Sequence, residues 1–196
     1  MIDFLLALKC NLKERSPNGY SALHFAAEKG QTAMVEKLLA WKLSWKAQTK
    51  KQEETALHLA TLANHVSTAM ALILHKDANI TMKDADAQQP IHHAVRSGNT
   101  SLTTTLLSRD GARLEDQTKY GWSPFLIACA YGHLSIVAEF ITRGVNIEEK
   151  LAWPSFHPGK RTNEAARKGY WAEIRWPHAG ARGIHLALEY VQALPT

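Results

Sequence analysis

The chain has 196 residues, of which 45% are hydrophobic and 21% charged, with a formal net charge of +5 and a pI near 9.2. That balance is ordinary for a globular protein and excludes the disordered class, and no apolar run is long enough to span a bilayer. The 23 lysines and arginines are scattered along the chain instead of gathered into a stripe. Nucleic acid is therefore not an expected partner, because recognition of phosphates needs a clustered basic footprint.

The segment 1–16 begins Met1-Ile2-Asp3-Phe4-Leu5-Leu6. It lacks the basic start of a secretory signal. A periodicity in the rest of the chain gives it a place. Leu23, Leu57, Ile91 and Phe125 stand 34 residues apart, and each is followed by small residues and then by Gly30, Asn64, Gly98 or Gly132. A fixed period of this size marks a repeat array. Counting back 34 residues from Leu38-Leu39 reaches Phe4-Leu5, so 1–16 reads as a partial repeat, the second helix of a unit whose first is missing. Its apolar face is expected to be covered by self-association through that incomplete repeat or by a longer parent chain.

Complete units are expected at 17–50, 51–83, 84–117 and 118–150. In each, a short helix starts at a capping residue (Ser21, Thr55 and Ser123) or at a proline tolerated in the first turn (Pro90 and Pro124). It ends at the glycine or asparagine, which accepts a positive φ. A second helix comes directly after it. Met34, Val35, Leu38 and Leu39, or Ile136, Val137, Phe140 and Ile141, lie at spacings of one, three and four and form one apolar stripe. Such a helical hairpin cannot bury its stripe alone, so neighbouring units must stack.

Ser21-Ala22-Leu23-His24, Thr55-Ala56-Leu57-His58, Gln89-Pro90-Ile91-His92 and Ser123-Pro124-Phe125-Leu126 resemble the Thr-Pro-Leu-His signature of ankyrin repeats, with Asn18-Gly19 and Tyr120-Gly121 at the turn before it. The resemblance implies an all-α ankyrin-repeat solenoid of stacked helix-turn-helix units with hairpin finger loops. Gln89 stands in place of the capping hydroxyl, Leu126 of the histidine and Glu53 of the turn glycine. The second and third repeats are accordingly expected to be less regular. Trp45 is expected to fill the core, and Asp84-Ala85-Asp86 to form a solvated finger tip, since the glycine and later acidic ligands of a calcium loop are missing. Beyond Lys150 the period breaks, and 151–196 reads as a degenerate fifth repeat with a capping helix.

No catalytic or metal-binding motif emerges. The chain has ten histidines, yet no His-Glu-x-x-His or Cys-x-x-Cys spacing, no nucleophile elbow and no phosphate-cradling glycine loop. The resemblance implies that His24, His58 and His92 are structural, bonding to backbone and tying adjacent units. Cys10 and Cys129 offer no disulfide framework, Cys129 replacing a packed alanine. A reducing, cytoplasmic or nuclear setting is expected.

Function then rests on the positions that the family leaves free. The resemblance implies that Tyr20, Glu28 and Lys29; Glu54, Leu62 and Ala63; Gln88, Arg96 and Ser97; and Lys119, Tyr120, Trp122, Ala130 and Tyr131 face the concave groove; Trp153, beyond the reach of the resemblance, is expected to continue the aromatic strip of repeat four. Tyrosine, tryptophan and arginine carry most binding energy at interfaces, so repeat four is the expected centre of a protein- or peptide-binding surface. The alternative at those residues is that Trp122 and Trp153 cover the join to the irregular fifth repeat. No enzyme activity and no cofactor is expected. Two other readings stay open: a small-molecule or catalytic pocket between repeat four and the tail, using Tyr120, Tyr131, His133, His157 or Trp153, and a fragment of a larger receptor, channel or regulator.

Overall fold

The structure is a computed structural model that describes residues 14–41, 43–75, 78–109 and 113–145. The partial repeat expected over 1–16, apart from its last three residues, and the fifth repeat expected over 151–196 lie outside the described residues. Among the described residues are eight helices and no strand: α1 Ala22–Glu28, α2 Thr32–Ala40, α3 Ala56–Leu62, α4 Val66–Leu74, α5 Pro90–Arg96, α6 Thr100–Leu107, α7 Pro124–Tyr131 and α8 Leu134–Thr142. The chain divides into two compact units, Met1–Pro124 and Phe125–Thr196.

In the first unit the helices pair as hairpins, α1 with α2, α3 with α4 and α5 with α6, as the apolar spacing predicts. The short helices stack in one layer, α1 on α3 on α5, and the longer ones in a second, α2 on α4 on α6. Leu23, Ala27, Val35, Leu38, Ala60, Ile73, Ala94, Val95, Leu102 and Leu106 fill the space between the layers. Ala27, Ala60 and Ala94 are fully covered because only a small side chain lets neighbouring helices approach this closely. In the second unit α8 turns its Ile136, Val137 and Phe140 inward, and the Phe140 ring meets Phe125 edge to face at 6.2 Å. Cys129 is buried there, which pushes its thiol up to about 12.

Two rows of turns keep the 34-residue period. Gly30, Asn64, Gly98 and Gly132 close the first helix of each repeat with φ between 56° and 71°. Gly30 is constrained twice, since a Cβ there would stand 2.7 Å from the His65 ring. The finger turns at Gly19, Glu53, Ala87 and Gly121 also have positive φ, from 54° to 82°. Glu53 and Ala87 therefore adopt the geometry of the missing glycines, at a cost of about 1 kcal/mol or more each.

Adjacent fingers are joined by main-chain bonds, from Lys50 N–H to Asn18 O, Ala85 N–H to Gln52 O and Lys119 N–H to Asp86 O, each 2.9–3.0 Å. The acceptors keep the period while Lys50 falls one residue short of it. The same slip appears within the second finger, where Thr49 N–H reaches five residues forward to Glu54 O, whereas Asp84 and Thr118 reach four, to Gln88 and Trp122. The second repeat is thus irregular by one residue in its finger, and its helices are undisturbed.

Two expectations need correction. Trp45 is only half-buried, its ring covered by the Lys46 ammonium 5.0 Å from the centroid, and Ala47 takes the core position. Asp84 and Asp86 do not form a solvated tip. The Asp84 side chain is 8% exposed and folds back onto its own finger, and Asp86 is 7% exposed and pairs with Lys119.

Candidate functional site

Beside the positions predicted to face the groove runs a row of buried histidines. In His24, His58 and His92, Nδ1 accepts the backbone N–H of the capping residue, Ser21, Thr55 or Gln89, at 3.0–3.2 Å. That fixes the tautomer, and Nε2–H donates to a carbonyl further along the chain: Glu54 O at 3.2 Å and Gln88 O at 3.1 Å, both in the next finger, and Asp116 O at 3.0 Å. Each imidazole therefore caps one helix, and those of His24 and His58 also hold the adjacent repeat. Burial pushes the pKa of His58 and His92 down to about 4 and lowers that of His24. Neutral imidazoles are required here, since a second ring proton would face a donor.

The third repeat departs from this plan in a way that explains Gln89. His92 reaches 24 residues forward instead of 30, to Asp116. The Gln89 amide does the same, donating to the Asp116 carboxylate at 2.6 Å and to Thr81 O at 3.2 Å. The residue that lacks the capping hydroxyl serves as a tether instead.

Within the first unit the predicted groove residues fall into three groups. Tyr20, Glu28, Lys29 and Glu54 surround the start and end of α1 and the second finger. The Tyr20 ring lies 5.7 Å from His24 and 5.1 Å from Phe25, while Lys29 is exposed and meets Glu28 at 3.6 Å. Burial first, then the charges of Glu54 and Glu28, hold the Tyr20 phenol above its ordinary range. Burial, then the charges of Asp84 and Glu28, likewise raise the Glu54 carboxyl. Leu62, one repeat on from Glu28, is 53% exposed.

The second group is drawn inward. Gln88 is 3% exposed, its amide oxygen accepting from the Arg96 guanidinium at 2.7 Å, so its side chain serves the fold. Beside it Asp84 accepts the N–H of Asp86 and of Gln88 at 2.8 Å and faces His93 Nε2 at 3.3 Å. Burial alone would raise the Asp84 carboxyl, but the bonds from His93 and Gln88 outweigh it and hold it below the usual range. His93 stands edge-on to His58 at 5.9 Å.

The third group is aromatic. Lys119 is exposed, pairs with Asp86 and places its ammonium 5.1 Å from the Tyr120 ring centre. The hydrogen bond from Lys119 to Asp86 raises the Lys119 pKa. Tyr120 and Trp122 are half-buried, and Trp122 N–H donates to Thr118 Oγ1 at 3.2 Å. Tyr131 belongs to the second unit, in which it is 40% exposed and stacks on His133 at 6.0 Å. Trp153 lies outside the described residues. Among the described residues no three of His, Cys, Asp and Glu are grouped as a metal ion would require.

Sequence reasoning missed Phe25, which is 49% exposed although its counterparts Leu59, His93 and Ile127 are buried. It also missed the Asp84–His93 pair. A large aromatic at a repeat position otherwise filled by buried side chains was the available signal for Phe25. For the pair there was none, because it forms only once the finger folds back.

Residues 1–84 and 67–150 match the family of ankyrin repeats in three copies. Over 150 residues the chain is 33% identical to the transient receptor potential cation channel subfamily A member 1 homolog of Caenorhabditis elegans, covering 76% of this chain and 12% of that protein. It is 33% identical over 103 residues to alpha-latrotoxin-Lh1a of Latrodectus hasselti (52% of this chain, 8% of the toxin). Over 89 residues it is 33% identical to the probable 26S proteasome regulatory subunit p28 of Saccharomyces cerevisiae (44% and 39%). The chain thus spans well under half the length of each. The helix pairs, the finger turns and the histidine ties agree with these matches, and the chain belongs to the ankyrin-repeat family.

Proposed function

We propose that this chain is a non-enzymatic interaction module that grips a protein segment in its concave groove, within the cytoplasm or nucleus. One observation carries the reading. The positions that hold the fold repeat their chemistry from unit to unit, as at Leu23, Leu57 and Ile91 or His24, His58 and His92, and are buried. The finger ends and helix ends instead carry a different side chain in each unit, and Glu54, Leu62, Tyr120, Trp122 and Tyr131 remain exposed or partly exposed. A rigid stack presenting such residues binds with little ordering cost. The aromatic anchors Tyr120, Trp122 and Tyr131 are the strongest contributors in this reading, as bulky rigid rings are at most interfaces.

No helix among the described residues is long and apolar enough to cross a membrane. The relatives named as a channel and a regulatory subunit support the further reading that such an array is one working part of a larger regulator. Affinity capture from cell extract tests the module. Wild type and a Tyr120→Ala, Trp122→Ala, Tyr131→Ala variant of unchanged circular dichroism are compared by mass spectrometry. Proteins held by the first and lost by the second are expected, and an empty difference between two equally folded proteins would contradict the assignment of the anchors.

A further inference from the structure

Four groove positions of the first two repeats form two rungs. Tyr20 and Glu54 are equivalent finger ends, and Glu28 and Leu62 are equivalent helix ends, each pair 34 residues apart on stacked units. His24 ties the rungs together, its ring against Tyr20 at 5.7 Å and its Nε2 at 3.2 Å from Glu54 O. The acidic groups here are not equally satisfied. Asp84 is met by His93 and two backbone N–H groups, and Glu28 by Lys29. Glu54 is half-buried, and its carboxylate makes no hydrogen bond or ion pair among the described residues.

We propose that this end of the groove receives a basic protein segment, a lysine or arginine side chain entering between Tyr20, Glu28 and Glu54 while a neighbouring apolar residue of the segment covers Leu62. The proposal rests on the interaction-module reading and names the partner's chemistry. Charge complementarity selects the occupant. A half-buried carboxylate that repels its acidic neighbours gains most from a cation, and the Tyr20 ring supplies a π face that a guanidinium or ammonium prefers. The Glu54 carboxyl is raised first by burial and then by the charges of Asp84 and Glu28, and a cation seated beside it would offset both. The 53% exposure of Leu62 gives the cation's neighbour an apolar seat one repeat away. An acidic or purely apolar segment would leave Glu54 desolvated without a partner.

A random dodecapeptide library displayed on phage is selected against the full chain, against Glu54→Gln and against Trp122→Ala. The strongest synthetic peptide is then compared with a copy in which each arginine is replaced by citrulline, or each lysine by acetyl-lysine. The expected result is enrichment of a basic residue near an apolar one. The neutral copy binds the wild type about tenfold or more weakly, the loss expected for an interface anchor. Glu54→Gln loses as much, and the two losses do not add. The comparison of peptides on wild-type protein stands even if a variant folds poorly. Peptides enriched without basic residues, neutral copies that bind equally well, or binding that needs Trp122 but not Glu54 would overturn the proposal and leave the module standing. Failure to enrich any peptide would overturn both.

Discussion

The cap histidines and the finger-end residues four positions before them run through the same repeats, yet they differ in chemistry and exposure. His24, His58 and His92 repeat one chemistry and spend every ring nitrogen on backbone. Tyr20, Glu54, Gln88 and Trp122 repeat nothing and, apart from Gln88, stay partly open to solvent. Gln88 shows what separates the two rows. Once Arg96 bonds its amide, a groove side chain becomes part of the fold. The same row thus holds both side chains taken up by the fold and side chains left partly open to solvent.

The holding row can be broken most sharply through the core beside it. Leu57, 6% exposed, changed to Asp would bury an unpaired charge at a cost of about 3–5 kcal/mol, much of a domain's stability. Loss of the cooperative melt is expected by circular dichroism, and a near wild-type melt would show the repeat register to be wrong.

Acid probes the histidines directly. Their folded pKa values lie below the unfolded value near 6.5, at about 4 for His58 and His92. The unfolded chain therefore binds the extra protons, so stability is full above pH 6.5 and falls as pH drops toward 4. The combined loss is on the order of a few kcal/mol, read as a falling denaturation midpoint. His58→Gln should flatten that slope, whatever its own effect on stability.

Smaller effects sharpen the comparison where the third repeat departs from the rest. Gln89→Ala removes two bonds, one to a carboxylate, and should cost about 2 kcal/mol in chemical denaturation. Ala87→Gly should stabilise by up to about 1 kcal/mol, since the left-handed turn at φ 57° suits glycine. A destabilised Ala87→Gly would mean that the turn stores no strain.

Much of this was legible in the sequence because a repeat states its own rules several times. The period located every helix pair among the described residues, and Gly30, Asn64, Gly98 and Gly132 marked where the first helices end. The histidine ties followed from the family resemblance and not from spacing alone. What stayed hidden depends on a single unit's tertiary detail. Glu53 and Ala87 adopt the glycine turn because bonded fingers on either side impose it, which overrides local preference. In the sequence Gln89 reads only as the loss of a capping hydroxyl, and its amide finds Asp116 only in the folded chain. The burial of Asp84 needs the finger to fold back onto His93, and two residues nine positions apart give no sign of that. At the candidate site, the pattern named the positions proposed for the groove, while the inward turn of Gln88 and the lack of a partner for the Glu54 carboxylate among the described residues were not legible, since both depend on how side chains meet after folding.

The division between a holding row and a binding row is tested most directly by amide hydrogen exchange on the full chain, alone and with a partner recovered by capture. Added protection is expected at the finger ends, around residues 19–20, 53–54 and 119–122, with the longer helices α2, α4 and α6 unchanged. Protection confined to those longer helices would contradict the division.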